Sequence, residues 1–461
     1  MMRLNRVILT TDALLLIFLV ACEDGLFKKK GAIEVQSTPE GAEVYLNGEH
    51  TGEATNCVLD DIEPGEHSIK LTLSGYWDWE SNVTVKVGDT AFVHALFTTE
   101  EGSIKWKFES SETYPSRTTS TAIGSDQKIY YATRFATTNV VYAVTAKGTE
   151  HWSDKIEPTC WVFSPVVSLN KGIYVKAYDF ERDKVTIFVY PATGEPRSLS
   201  NRGSTSILDF FDETLPVIGS DGTLYCACED STFCAFTPTL REKWTYKVEE
   251  GNSFSSAAIG SDGTIYFSVE GYNKSLYALT PQGDLKWKRE GLFGSPAIGS
   301  NGTIYLYGGY GVKALNPDGS EKWRLEDVAE QIAIGSDGTI YASYGSYVNA
   351  ISNDGILLGQ FHPDDEYRRF NYPMVGSDDV IYIGASDGYL YALNPDCSLR
   401  WKCYIGEEID GSPAIADDGT IYCATQDGNL YAITSSSRGL ASSPWPKYAH
   451  DNQNTGRAGA Q

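Results

Sequence analysis

Methionine and histidine are scarce in this chain, with three and six copies in 461 residues. The nine cysteines include no adjacent pair and no C-x-x-C spacing, and the histidines are scattered. A zinc-type centre of imidazole and thiolate ligands is therefore not expected. Cations are outnumbered: 37 Lys and Arg stand against 61 Asp and Glu, a net charge of −24. A phosphate backbone would be repelled, which excludes nucleic acid as an expected partner. The plain reading of this charge is solubility, and the sharper one is attraction of cations or a basic partner. No HExxH, Walker or EF-hand pattern occurs. The many Asp-Gly pairs, such as Asp221-Gly222 and Asp262-Gly263, are explained by turn chemistry without calcium.

What is abundant points to strands. The chain has 44 Gly and 29 Tyr, and hydrophobic residues make up 41%. Glycine-rich turns between tyrosine-rich segments suit many short strands, and the length calls for more than one folding unit. Cys226 and Cys228 are close, as C-A-C, and on a strand they share one face. They read as small buried thiols. Disulfides stay open as an alternative if the chain is exported.

The first thirty residues read as an address. Arg3 and Arg6 precede an apolar run, Ala13 to Val20, of eight residues. That is too short to span a bilayer but fits a signal-peptide core. The run continues into Leu19-Val20-Ala21-Cys22, which resembles the lipobox of bacterial lipoproteins. The resemblance implies a signal peptide over 1–21, lipid attachment at Cys22 and a tether over 22–30. It also implies a cell-envelope location, anchored to a membrane on the extracytoplasmic side, in the periplasm or at the cell surface.

Residues 31–98 alternate apolar and polar in short segments separated by turn signals at Pro39 to Ala42, Asn47-Gly48 and Pro64-Gly65. The string S-T-P-E-G-A-E-V-Y-L-N-G, residues 37–48, and the later Gly75-Tyr76 resemble the PEGA domain. That family implies a small β-sandwich used as a spacer or attachment module, with no chemistry of its own. Trp77 and Trp79 read either as an exposed ridge or as packing residues.

Internal repetition organises residues 101–461. Eight tyrosines, at 130, 174, 225, 266, 305, 341, 382 and 422, each follow an Ile or Leu. Eight residues before each stands Ala122, Val166, Val217, Ala258, Ala297, Ala333, Met374 or Ala414. Units of about forty residues with four strand-length pieces predict an all-β fold, an eight-bladed β-propeller of four-stranded blades. In five units an Ala is followed nine positions later by Trp152, Trp244, Trp287, Trp323 or Trp401. This resembles the docking repeat of pyrroloquinoline-quinone-type propellers, in which a Trp of one blade packs on its neighbour. Units two and six lack the Trp, Gly359 standing in the sixth position, so weaker contacts are expected there. The eighth unit lacks it too. Gly102 to Trp106 matches Gly319 to Trp323, so strand 102–108 is expected to complete the last blade and close the ring.

A quinoprotein dehydrogenase would, by the same resemblance, need a disulfide between adjacent cysteines, which this chain lacks. No cofactor, metal site or enzyme activity is therefore expected. His450, Asp451 and Asn452 in the tail read as part of a capping segment more readily than as catalytic groups. The expected function is a non-catalytic, membrane-anchored scaffold, monomeric, binding an envelope protein. The lipidated architecture is similar to the propeller subunit of the outer-membrane β-barrel assembly machine. The alternative is a surface adhesin binding cell-wall or surface polysaccharide, with Tyr307, Tyr310, Tyr344 and Tyr347 as sugar-stacking candidates.

Overall fold

The computed structural model describes residues 30–458 except 39, 74–75, 77, 97–100, 111–114, 136–137, 157–159, 169–171, 180–183, 192–196, 199–213, 230, 250–252, 271–273, 309–310, 330, 364–367 and 452. Among the described residues every regular element is a strand. The chain divides into two compact units between Glu100 and Glu101.

The first unit contains two sheets. In one, Gly31–Thr38 lies between Cys57–Ile62, to which it is antiparallel, and Thr90–Leu96, to which it is parallel. The other runs Glu49–Ala54, Glu43–Leu46, Gly65–Thr72, Trp79–Val85. Gly31–Thr38 buries every second side chain, as the alternation in its sequence requires. Ile33, Val35, Leu59 and Val93 from the first sheet share one core with Val44, Ile69, Leu71 and Val85 from the second. Half-buried Trp79 packs on that core, and Trp77 lies outside the described residues.

The second unit contains, among the described residues, eight antiparallel sheets that follow one another along the chain. The sixth is representative: Gln331–Ile334, Ile340–Tyr344, Tyr347–Ile351 and Leu357–Phe361, hydrogen-bonded in that order. The eighth combines Ala414–Ile415, Thr420–Ala424 and Leu430–Thr434 with Ile104–Phe108 from the start of the unit. Leu430 faces Phe108 and Ala432 faces Trp106 across that ladder.

The invariant eight-residue spacing is hairpin geometry. Every one of the eight residues from Ala122 to Ala414 is the direct cross-strand partner of its tyrosine, from Tyr130 to Tyr422. In six of the eight units the turn between them is closed by its own Asp, and in the fifth by Asn301. In the third sheet Asp221 Oδ1 accepts from Thr223 N at 2.9 Å, with Gly222 at φ 79°. Seven of the eight tyrosines then face an alanine on the third strand, such as Ala278 opposite Tyr266, which in turn faces Trp287 on the fourth, whereas Tyr174 faces Val189. The row small–Tyr–small–Trp leaves room for the two large rings to meet over the alanine, 5.9 Å apart in this sheet.

Neighbouring sheets share cores made of their facing sides. Sheets three and four meet through Phe233 and Phe267, stacked at 4.0 Å. The eighth sheet packs on the first through Tyr422 and Leu430 against Tyr131 and Tyr142.

Candidate functional site

The tryptophans form a repeated contact between consecutive sheets. Four of the six indole N–H groups donate to a main-chain carbonyl in the last turn of the next sheet. Trp106 reaches Ala146 at 3.1 Å, Trp244 reaches Pro281 at 2.9 Å, Trp287 reaches Pro317 at 3.0 Å and Trp323 reaches Asn353 at 2.9 Å. Trp152 stacks on Tyr190 of the second sheet at 5.1 Å. Trp401 meets the seam where the eighth sheet takes its fourth strand from the start of the unit. Its indole donates to the carboxylate of Glu101 at 3.2 Å, which also accepts two bonds from Arg400 at 2.8 Å each. The ring faces have a fixed companion. A Cβ added to Gly148, Gly283, Gly355 or Gly102 would lie 2.7–2.9 Å from Trp106, Trp244, Trp323 or Trp401. These glycines also hold φ between 77° and 93°.

The second and sixth sheets, which lack the Trp, are not left bare. In the turn that follows each, the glycine is replaced by a buried residue in the same left-handed conformation: Leu240 at φ 59° and Cys397 at φ 66°. The vacated carbonyl receives a different donor. Tyr174 Oη donates to Pro238 O at 3.0 Å, and Tyr341 Oη to Pro395 O at 3.3 Å. A phenol takes over the indole's hydrogen bond, and a side chain occupies the position where a neighbouring Trp would require glycine.

The first strands of the sheets converge on the chain's tail. Main-chain N–H groups of Val167, Ile218, Ile259, Ile334 and Val375 donate to carbonyls of Gln453, Thr455, Gly456, Trp445 and Pro446, at 2.7–2.9 Å. The donors occupy one repeat position, the residue after the small partner of the tyrosine. Gln453 Nε2 reaches Ile123 O of the first sheet at 3.1 Å. These strands would otherwise present open edges, and the tail satisfies them.

A buried polar cluster ties the tail to itself. Lys447 Nζ donates to Asn454 Oδ1 at 2.6 Å, and Asn454 Nδ2 donates to Pro165 O at 3.0 Å. Burial pulls the Lys447 ammonium down to about 7, against an opposing pull from Asp451. Burial pushes the Asp451 carboxyl up, but hydrogen bonds from His450 and Thr455 outweigh it and the net shift is downward. His450 Nδ1 lies 3.3 Å from Asp451, and its ring meets the edge of buried Trp445. Asn452 lies outside the described residues. The cluster's hydrogen bonds fall within the tail and on the carbonyls of Thr121 and Pro165, and among the described residues the buried Trp445 Nε1 finds no hydrogen-bond partner.

Other candidate residues separate. Cys22 falls outside the described residues, as does Tyr310. Tyr307 is buried in strand Ile304–Gly308 and is unavailable to a sugar, and Tyr344 and Tyr347 are half-buried. Cys226 is a buried free thiol, whereas Cys228 is disulfide-bonded to Cys234 across the adjoining hairpin, Cα atoms 6.0 Å apart. Gly384 to Gly388 spells G-x-S-x-G, a hydrolase-like signal in the sequence. It sits on the turn between strands Ile381–Gly384 and Tyr389–Leu393, with no helix after it. Its Asp387 binds Arg368 at 2.9 Å and Tyr391 Oη at 2.6 Å. Among the described residues no group of three or more His, Cys, Asp or Glu is placed to hold a metal ion.

Residues 30–100 match the family model of the PEGA domain. No curated protein matches the chain by sequence. Among solved structures, BamB from Moraxella catarrhalis is similar at 14% identity with a TM-score of 0.54, over 72% of this chain and 99% of that one. Chaetomium thermophilum Sqt1, solved bound to the N-terminus of the ribosomal protein L10, is similar at 10% identity and TM-score 0.54, over 73% and 100%. Virginiamycin B lyase from Staphylococcus aureus reaches a TM-score of 0.46 at 13% identity, over 59% and 94%. For BamB and Sqt1, at these identities, the likeness is one of fold: an all-β protein of β-propeller type. Fold of this kind does not by itself divide binding proteins from enzymes.

Proposed function

We propose that this protein is a non-catalytic binding scaffold of the bacterial cell envelope, anchored through a lipid on Cys22. On this reading the eight sheets are the blades of one propeller, closed by strand 102–108. The PEGA-like unit is a small two-sheet sandwich acting as a spacer. The observation that carries the reading is the tail: residues 445–456 hydrogen-bond to the first strands of six sheets, so the axis is taken by the chain's own backbone. Recognition is left to the loops and the outer strands, where a rigid propeller presents protein-sized surfaces. The Cys228–Cys234 disulfide supports an oxidising, extracytoplasmic location. The fold likeness to BamB is in keeping with the same setting.

The test is in-cell crosslinking followed by mild-detergent capture from native membranes, with Cys22→Ala beside the wild type. Envelope proteins crosslinked to the wild type and lost with the variant are the expected result. Capture of polysaccharide and no protein would refute the scaffold and favour a glycan-binding surface lipoprotein.

A further inference from the structure

The outer strand of the sixth sheet departs from its counterparts at two positions, Ile356 and Leu358, whereas Leu357 matches the exposed Ile104, Leu285 and Leu399 of other outer strands. Elsewhere the residue before the Trp is Lys105, His151, Lys243, Lys286, Lys322 or Arg400. Three of these lysines fasten the outer strand to the first turn of their own sheet. Lys243 lies 3.1 Å from Asp221, Lys286 lies 3.1 Å from Asp262 and Lys105 lies 3.6 Å from Asp418. In the sixth sheet the position is Leu358, and the two residues before it are Leu357 and Ile356. These three aliphatic side chains are 60%, 47% and 63% exposed. The corresponding first-turn carboxylate, Asp337, accepts from Thr339 N and Oγ1, but among the described residues no cation lies within ion-pair distance of it.

The strand Leu357–Phe361 is the last in its sheet, bonded on one side only, to Tyr347–Ile351. Such an edge is normally blunted by charge, and here the blunting residue is replaced by leucine. We infer that this edge is a docking site for an extended segment of a partner protein, with aliphatic side chains for Ile356 and Leu358 and a lysine or arginine for Asp337. The segment pairs with the free main-chain groups of the edge, and its cation takes the place that a lysine fills in the sister sheets. The inference rests on the scaffold reading and names the surface and chemistry of its partner.

The probe is a fluorescent peptide of alternating valine and lysine, titrated into the purified full chain, with a valine–glutamate peptide as counterpart. The expected result is binding of the lysine peptide alone, weakened about tenfold or more by Leu358→Lys and also by Asp337→Asn. Leu285→Lys adds the same charge at a position 47% exposed on another outer strand, and leaves binding unchanged. Equal binding by wild type and Leu358→Lys, or equal loss with Leu285→Lys, overturns the docking edge. So does equal binding of the two peptides. Membrane crosslinking of Leu358→Lys separates the two readings. Envelope partners captured undiminished would overturn the docking edge while the scaffold stands. Peptide discrimination with no envelope partner at all would uphold the edge and refute the scaffold.

Discussion

Replacing Gly283 by Ala tests whether the tryptophan docking is a steric lock or an incidental contact. The new Cβ would lie 2.7 Å from Trp244 Cδ2, well inside contact distance, and φ at this residue is 93°. Two costs combine. An L-residue held in the left-handed region loses about 1–2 kcal/mol, and overpacking against a ring that cannot retreat adds about 1–3 kcal/mol. Together they predict a loss of about 2–5 kcal/mol. The two parts separate in a double-mutant cycle with Trp244→Ala. Without the indole the overpacking disappears, so Gly283→Ala in that background costs only the conformational part, about 1–2 kcal/mol. Urea unfolding followed by far-ultraviolet circular dichroism avoids the fluorescence change caused by removing a Trp. If Gly283→Ala costs the same with and without Trp244, the glycine serves the turn alone and the reasoning about ring docking is wrong.

The seam between the seventh sheet and the start of the unit yields a second prediction. Glu101 accepts from Arg400 and Trp401, and the Arg400 bonds hold its carboxyl below the usual range despite partial burial. Glu101→Gln should destabilise by about 1–2 kcal/mol, discounted for partial exposure. Because the folded pKa lies below the unfolded one, this contribution is present above the unfolded value near 4.5 and disappears as pH falls through the folded value. Wild type and variant should therefore converge in acid urea melts. The tail yields a third. Lys447 titrates near 7 when folded and near 10.5 when unfolded, so between those values the unfolded chain binds the additional proton. Stability should rise with pH across that window, by at most about 1.4 kcal/mol per pH unit from this group. Lys447→Met should flatten the rise in pH-dependent urea melts. An unchanged slope would show that the buried amine does not titrate there.

Much of this fold is legible in the sequence because its elements are local. The eight-residue spacing is a hairpin, and hairpin pairing needs only adjacent residues and an Asp-Gly turn, as at Asp262-Gly263. The docking pattern was legible only in part. The tryptophans stand out, but their partner glycines sit in the next repeat, and the exchange of Gly for Leu240 and Cys397 gains meaning once the indole and the turn are seen touching. The tail reads as a cap through the resemblance of residues 444–457 to a segment that flanks the first blade in bacterial propellers. What it does depends on main-chain carbonyls, which every residue carries. Tyr307 is open to both readings in the sequence, sugar stacking or blade packing, because its nearness to a turn says nothing about which sheet face packs on the next core, and its burial favours packing.

A repeat protein hides its function in its regularities, since features shared by every copy serve the packing between copies. The small–Tyr–small–Trp row, the turn aspartates and the tail contacts all belong to that class. Departures divide into two kinds. At Leu240 and Cys397 the loss of a Trp is matched by a compensating residue and by a tyrosine hydroxyl on the same carbonyl, so packing accounts for the change. At Ile356 and Leu358 no such compensation exists among the described residues: two aliphatic side chains face solvent where the other outer strands have polar or charged ones, and Asp337 lacks the lysine that Asp221, Asp262 and Asp418 hold. A departure that leaves surface exposed and a carboxylate without a cation lowers solubility and offers no packing in return. That asymmetry is what makes the outer strand of the sixth sheet the place to look for a partner.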